Sequence, residues 1–359
     1  MTETAVFLRV STVVVLGLAA IGPLPSDAAE KFKSNTPSVG LTPLTDLGAA
    51  RYLDKFEGGL YPGGNTMPKE HAEAGLARAR AIRPLDAEGQ PDPSGKYVLL
   101  SIGYSNPNLI FCDPKTGIQQ FRGDKFSPDS FIGQAAADPE VNHSTLAIMH
   151  GCNPANVVDS WDEPTDANYD RIRDNILVSH GLSEKQVQVV WCMMIVGRGS
   201  RNILPDENAD AYQFVKGLGN ILRTLKLRYP NLQQVFLASQ LYCGHCNKPE
   251  SFPIEPISYE GAFGVKWLIE AQMRQMKGGA IHPQAGNLDC EKGVAPWVAW
   301  GSYLWADGIH PRADGLSWPR EDFIQDGTHP GPSGVKKAGR MLLDFFKTEP
   351  STRPWFVKS

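Results

Sequence analysis

Five apolar runs punctuate the chain, at residues 97–102, 145–149, 187–196, 235–239 and 297–300. Each is four to ten residues long and apolar on both alternating faces, the pattern of a strand buried between two layers. Between them lie stretches with helical spacing. Residues 168–179 carry Ile172, Ile176 and Leu177 on one stripe, and residues 209–228 carry Phe214, Val215, Leu218, Ile221, Leu222 and Leu225. Residues 259–277 and 333–346 repeat the pattern. Alternating strands and helices predict an α/β fold, a three-layer α/β/α arrangement with a doubly wound, mainly parallel five-stranded sheet. Such sheets bind ligands at the carboxyl ends of their strands. No internal repeat is visible.

The region before the first run reads differently. Arg9 precedes an apolar stretch at residues 13–21, and Ser26, Ala28 and Ala29 follow as small residues. This is the layout of an export signal, and the stretch is short for a bilayer span of about 20 residues. Residues 1–29 are therefore expected to be a signal peptide, and the rest of the chain to lie in the periplasm or outside the cell with no stable membrane insertion after cleavage. Residues 30–96 are rich in Gly, Pro and Asp, with one short helical run at 69–81. They are expected to form a loop-rich N-terminal extension packed on the core that begins at residue 97.

Of the 359 residues, 42% are hydrophobic and 21% charged, with a formal net charge of −4. No basic block stands out, which argues against a nucleic-acid partner. The 35 glycines and 28 prolines are interleaved with aromatics, so they predict long structured loops rather than disorder.

Two segments carry candidate chemistry. Gly103-Tyr104-Ser105-Asn106 follows the first run directly, so Ser105 should stand at a strand's carboxyl end. By itself this serine reads equally as a turn or helix-capping residue. Asp326-Gly327-Thr328-His329-Pro330 precedes the last helix. One turn can bring an Asp and a His three residues apart together, so that the carboxylate accepts the Nδ1 proton and leaves Nε2 free to take a proton from a hydroxyl. A near-duplicate, Asp307-Gly308-Ile309-His310-Pro311, is followed by a loop instead of a helix. The pair at 326 and 329 is preferred for that reason, with Asp307 and His310 expected to line the cleft.

A serine just after the first strand, with Asp-x-x-His-Pro just before the last helix, resembles the SGNH (GDSL-type) hydrolase family over about residues 97–346. The segments Gly59-Leu60-Tyr61-Pro62-Gly63-Gly64-Asn65 and Tyr303-Leu304-Trp305-Ala306-Asp307 resemble a group of exported SGNH-like bacterial proteins. The resemblance implies an SGNH/flavodoxin-like hydrolase domain over residues 97–359. It further implies a Ser105 nucleophile, a His329 base oriented by Asp326, and no cofactor or metal. The substrate it implies is a small-molecule or carbohydrate ester, such as an acyl ester on a glycan. The family's oxyanion hole uses the serine's own amide, a glycine after the second strand and an asparagine after the third. Gly151 matches the glycine by position. Residues 196–202 depart from the family by lacking a clear Gly-x-Asn, leaving Asn153 and Asn202 as alternative donors, and Tyr104 stands where the family often has Asp. These departures keep open an inactive SGNH-like module that binds glycan or a surface partner.

Other motifs compete for attention. Cys243-Gly244-His245-Cys246 copies a redox-active pattern, but Pro249 and Pro253 follow where such enzymes place a helix. A disulfide within Cys243, Cys246 and Cys290 is the structural alternative, and these cysteines with His245 and His282 form a possible zinc set. Ser333-Gly334-Val335-Lys336 matches Ser-x-x-Lys, though helix capping by Ser333 accounts for it. His71, His143 and His180 read as surface or capping residues. Trp297, Trp300, Trp305 and Trp318 crowd the later loops, either as packing or as a sugar-stacking platform.

Overall fold

A computed structural model of the protein describes residues 32–112, 126–196, 201–252 and 254–358. The signal-peptide expectation for 1–29 lies outside these residues. The short elements of the extension come first: α1 (Leu44–Leu47), an antiparallel pair β1 (Arg51–Tyr52) and β2 (Phe56–Glu57), and α2 (Lys69–Ala81). The core sheet is built from β3 (Tyr97–Gly103), β4 (Leu146–His150), β5 (Val187–Met193), β6 (Gln234–Ala238) and β7 (Trp297–Trp300). Its order is β4-β3-β5-β6-β7 and every pairing is parallel. The α/β fold with a five-stranded parallel sheet is therefore as expected. Between the strands run α3 (Ser105–Phe111), α4 (Phe131–Ala137), α5 (Ala167–Ile172), α6 (Asp210–Arg228) and α7 (Ile257–Met276), and α8 (Pro332–Thr348) and α9 (Arg353–Phe356) close the chain.

All seven residues of β3 and of β5 are buried, as are all of β6 and β7. Each fully buried Val, Leu or Ile contributes about 1.5–3 kcal/mol, so the central strands hold the layers together. The chain leaves β3 toward β4 on one side and later returns to β5 on the other. The order reverses at β3, and the crevice beyond its carboxyl end is where an open α/β sheet receives a ligand.

Three boundaries differ from the pattern reading. The run at 187–196 pairs only to Met193, because its neighbours end there: Met193 is the last partner of both Gly103 and Ala238. The helix expected over 168–179 is α only to Ile172, then a π turn to Leu177 and a 3₁₀ turn to His180. The Ser179 hydroxyl donates to the carbonyls of Asn175 and Ile176, and His180 Nδ1 also reaches Ile176. These side chains compete for carbonyls that a regular helix would use. Helices α3 and α4 are additional elements.

Residues 32–96 lie against the core by main-chain bonds. Lys33 pairs with Glu255, and the amides of Asn35 and Thr36 donate to the carbonyls of Cys246 and Gly244. His71, expected at the surface, is 2% exposed; its Nε2 meets the Val298 carbonyl at 2.9 Å and its ring stacks near Trp297. The near-duplicate pair serves the extension as well. Asp307 accepts from the Ser38 hydroxyl at 2.5 Å and from the amides of Val39 and Gly40 at 2.8 and 3.0 Å. His310 Nδ1 touches the same Ser38 oxygen, and its side chain is 67% exposed. Serine and histidine thus crowd one side of the carboxylate instead of forming a relay through two ring nitrogens.

Two carboxyls are buried where this extension meets the core. Burial pushes Glu255 up to about 7, although the Cys243 and Tyr259 amides and the Trp305 indole donate to it. Burial pushes Glu260 up to about 8 against bonds from the Leu204 amide and the Tyr52 hydroxyl. Each carboxyl keeps its proton in the folded chain at pH values where the unfolded chain has released it. The stability this gives is complete below about pH 4.5 and is lost as pH rises through 7 and 8. Thermal unfolding should show the wild type losing on the order of 1–3 kcal/mol per carboxyl between pH 5 and 9. Glu260→Gln should flatten that slope, and a pH-independent difference between the two proteins would contradict the assignment.

Candidate active site

Ser105 opens α3 immediately beyond β3. The turn between them depends on Gly103, whose φ is +152° and where a Cβ would lie 2.4 Å from the Met193 carbonyl oxygen. Only glycine lets β3 pack against β5 and still swing into the helix. As the first residue of α3, Ser105 has an amide without an intrahelical partner, and among the described residues that amide donates to no other group. Its side chain is partly exposed, while every other residue of α3 is buried.

The histidine arrives from the other end of the sequence. Beyond β7 a long loop closes on itself: the Ile324 amide donates to the His329 carbonyl at 2.9 Å and the Gly331 amide to Asp322 at 2.8 Å. Inside it, Asp326 Oδ1 accepts from the amides of Thr328 and His329 at 2.9 and 3.0 Å. Asp326 Oδ2 lies 2.7 Å from His329 Nδ1, and His329 Nε2 lies 2.8 Å from Ser105 Oγ. With Nδ1–H donating to the carboxylate, Nε2 is the acceptor and the serine hydroxyl the donor. Burial raises the Asp326 carboxyl, but the His329 ring and the two amides outweigh it and hold it down to about 2. It stays ionised through the neutral range.

The loop is fixed from behind by the Cys-Gly-His-Cys segment. Gly327 adopts φ +71°, and the position of its absent Cβ is taken by the His245 carbonyl oxygen, 2.0 Å away. The Asn247 amide donates to Asp326 O at 3.0 Å and Asn247 Nδ2 to Gln325 O at 2.8 Å. Phe252 stands edge-on to the His329 ring with centroids 5.2 Å apart. His245 itself is turned away, its Nε2 on the Trp318 carbonyl at 2.8 Å. All six cysteines are free and buried, so no disulfide joins Cys243, Cys246 or Cys290. Burial pushes the Cys243 and Cys246 thiols up, away from the reactive thiolate. Among the described residues no three His, Cys, Asp or Glu side chains come together as a metal site.

The expected oxyanion donors fare unequally. The Gly151 amide is already engaged, donating to Ser101 O at 3.0 Å. A Cβ there would lie 2.6 Å from the same oxygen, so this glycine serves close packing between β3 and the chain leaving β4. Asn202 is directed elsewhere: its Nδ2 reaches Asn208 O and its carbonyl takes the Asp210 amide. Residues 197–200, the heart of the third block, lie outside the described residues. Asn153 is differently placed. Its amide donates to Gly103 O at 2.9 Å, two residues before Ser105, and its Nδ2 donates to Asn168 Oδ1 at 2.6 Å. Asn168 is 5% exposed and donates to Asn156 Oδ1 and Ser160 O, so its own oxygen must face Asn153. That fixes which end of the Asn153 carboxamide carries the hydrogens. The signal that could have singled out Asn153 is the cluster Asn153, Asn156 and Asn168, which has meaning only once the loop is folded.

The tryptophans are packing residues. Trp297, Trp305 and Trp318 are fully buried and Trp300 is 3% exposed, so they offer no face to a sugar. Ser333 lies inside the first turn of α8 with its hydroxyl on Glu321 O, and Gly331 is the capping residue.

No family model and no curated protein matches the chain. Among solved structures, a protein assigned as a GDSL-like lipase from Parabacteroides merdae aligns over 73% of this chain and 97% of its own, at 14% identity and a TM-score of 0.37. A catalytic mutant of an acetylxylan esterase from Geobacillus stearothermophilus aligns over 71% and 94%, at 12% identity and a TM-score of 0.35. An alpha/beta hydrolase from the metagenome of Lake Arreo aligns over 72% and 96%, at 13% identity and a TM-score of 0.36.

Proposed function

We propose that the chain is an exported serine esterase that hydrolyses a carboxylic ester through an acyl-enzyme. The observation that carries this reading is the continuous relay from Asp326 through His329 to Ser105, with hydrogen bonds of 2.7 and 2.8 Å. Ser105 Oγ attacks the ester carbonyl and gives its proton to His329 Nε2. The ionised Asp326 stabilises the imidazolium and holds the ring in place. His329 then protonates the leaving alkoxide, and water, deprotonated by the same nitrogen, releases the acid and restores Ser105.

The developing oxyanion is stabilised by the free amide of Ser105 and the carboxamide of Asn153, the second oriented by Asn168. Asn153→Ala should lower kcat by about 10²–10³-fold on a short p-nitrophenyl ester, with KM much less affected. An unchanged kcat would remove Asn153 from the reaction. The substrate class is an acyl ester on a carbohydrate or small alcohol, as the family resemblance implies, and release of acetate from an O-acetylated oligosaccharide tests the carbohydrate part.

The reading as a whole is tested with purified protein on p-nitrophenyl acetate beside Ser105→Ala: hydrolysis by the first and not the second is expected. One observation favours the rival of a catalytically weak, glycan-binding module, namely that the Gly151 amide is committed to the sheet. Retained oligosaccharide binding with no turnover would select it. Among the described residues no helix is long and apolar enough to cross a membrane. Signal cleavage after residue 29 would appear as an N-terminus near residue 30 in protein recovered from the periplasm or medium.

A further inference from the structure

The serine and the histidine are 224 residues apart in sequence, and their hydrogen bond exists only if α3 and the 323–330 loop hold a fixed separation. One side chain bridges the two directly. Asn106, the residue after Ser105, is fully buried, and its Nδ2 donates to the carbonyl oxygen of Thr328, the residue before His329, at 3.2 Å. The next asparagine in the helix faces elsewhere: Asn108 Oδ1 meets His150 Nε2 at 2.8 Å and ties α3 to the end of β4.

The Asn106 side chain carries a cost. Its Oδ1 is buried with no hydrogen-bond partner among the described residues, and an unsatisfied buried acceptor costs about 1–3 kcal/mol. A leucine of nearly the same shape would avoid that cost and pack against the same neighbours. What leucine lacks is the donor to Thr328. The orientation of the carboxamide is set by this bond, since a carbonyl accepts only from the nitrogen end.

We propose that Asn106 is a positioning residue whose carboxamide clamps the serine's helix to the histidine's loop and so sets the Ser105–His329 distance. The inference rests on the esterase reading given above and adds to it a residue that touches neither substrate nor reacting atoms. Without the clamp the two segments are joined only through the reacting bond itself and through general packing. A displacement of about 1 Å between a nucleophile and its base costs roughly 10²-fold in rate.

The test compares wild type with Asn106→Leu and Asn106→Ala, both followed by hydrolysis of p-nitrophenyl acetate and by the rate of phosphonylation with a fluorophosphonate. The expected result is a fall in kcat of about 10–100-fold, an equally slowed phosphonylation and a KM within about twofold of wild type. A residue that merely supported folding would lower the midpoint of thermal unfolding and leave the kcat of the folded fraction unchanged. Wild-type kcat and phosphonylation rate in folded Asn106→Leu would overturn the proposal while leaving the esterase reading intact. Failure of wild type to hydrolyse or label would instead remove that reading. The clamp is then judged from crystal structures, in which the Ser105 Oγ to His329 Nε2 distance should exceed 3.5 Å in Asn106→Leu. Should neither variant fold, the crystal structures of free and phosphonylated wild type decide: the Asn106 Nδ2 to Thr328 O bond should be present in both, and its absence from either would overturn the proposal.

Discussion

Ser105→Ala is expected to lower kcat on p-nitrophenyl acetate by at least about 10⁴-fold while leaving the protein folded. The hydroxyl is the only group on the serine that can form a bond to the acyl carbon. Its loss leaves the Ser105 amide, Asn153 and the His329–Asp326 pair in place, so the residual rate measures what those groups do for direct attack by water. Stability should change little. The side chain is partly exposed and its hydrogen bond goes to His329 alone. Alanine is also a good helix former at the start of α3. Circular dichroism and the thermal midpoint establish that the variant is folded, and the initial rate then reads the chemistry. A rate within tenfold of wild type in the folded variant would mean that another group performs the attack.

Asp326→Asn should cost nearly as much, roughly 10³–10⁴-fold in kcat, for a reason read directly from the loop. Asp326 Oδ1 holds the amides of Thr328 and His329, and Oδ2 faces His329 Nδ1. A carboxamide that keeps its oxygen on the two amides must turn its NH₂ toward Nδ1. That nitrogen then has to accept, and the ring proton moves to Nε2, where it faces the serine oxygen. His329 can no longer take a proton from Ser105. The backbone of the loop is retained, so the defect is one of tautomer and not of folding. KM should stay near the wild-type value and the phosphonylation rate should fall with kcat. Activity within tenfold of wild type would show that the carboxylate neither orients nor stabilises the imidazole.

The sheet could be read from the chain because its strands are buried on both faces. A run such as 97–102 has no polar residue to hide and no alternative partner but another layer. The relay could be read because Asp326 and His329 are three residues apart and their meeting is local. What could not be read were contacts whose partners are remote. The segment Ser105–Phe111 contains a proline and two asparagines and carries little helical signal, yet burial of Leu109, Ile110 and Phe111 makes it helical. Gly151 invited assignment as an oxyanion donor, but its amide is claimed by β3, a strand about fifty residues earlier. The two Asp-x-x-His-Pro segments look alike in sequence and differ only in what they meet, Ser105 in one case and residues 38–40 in the other. The Cys-Gly-His-Cys segment suggested redox or metal chemistry, and its folded role is to brace Gln325, Asp326 and Gly327 through Asn247 and the His245 carbonyl.

The most direct measurement is to treat the purified protein with a fluorophosphonate, digest it and locate the added mass by peptide sequencing. The account predicts one stoichiometric adduct on Ser105, lost in His329→Ala. An unmodified Ser105 peptide after prolonged treatment, or an adduct on a different residue, would contradict it.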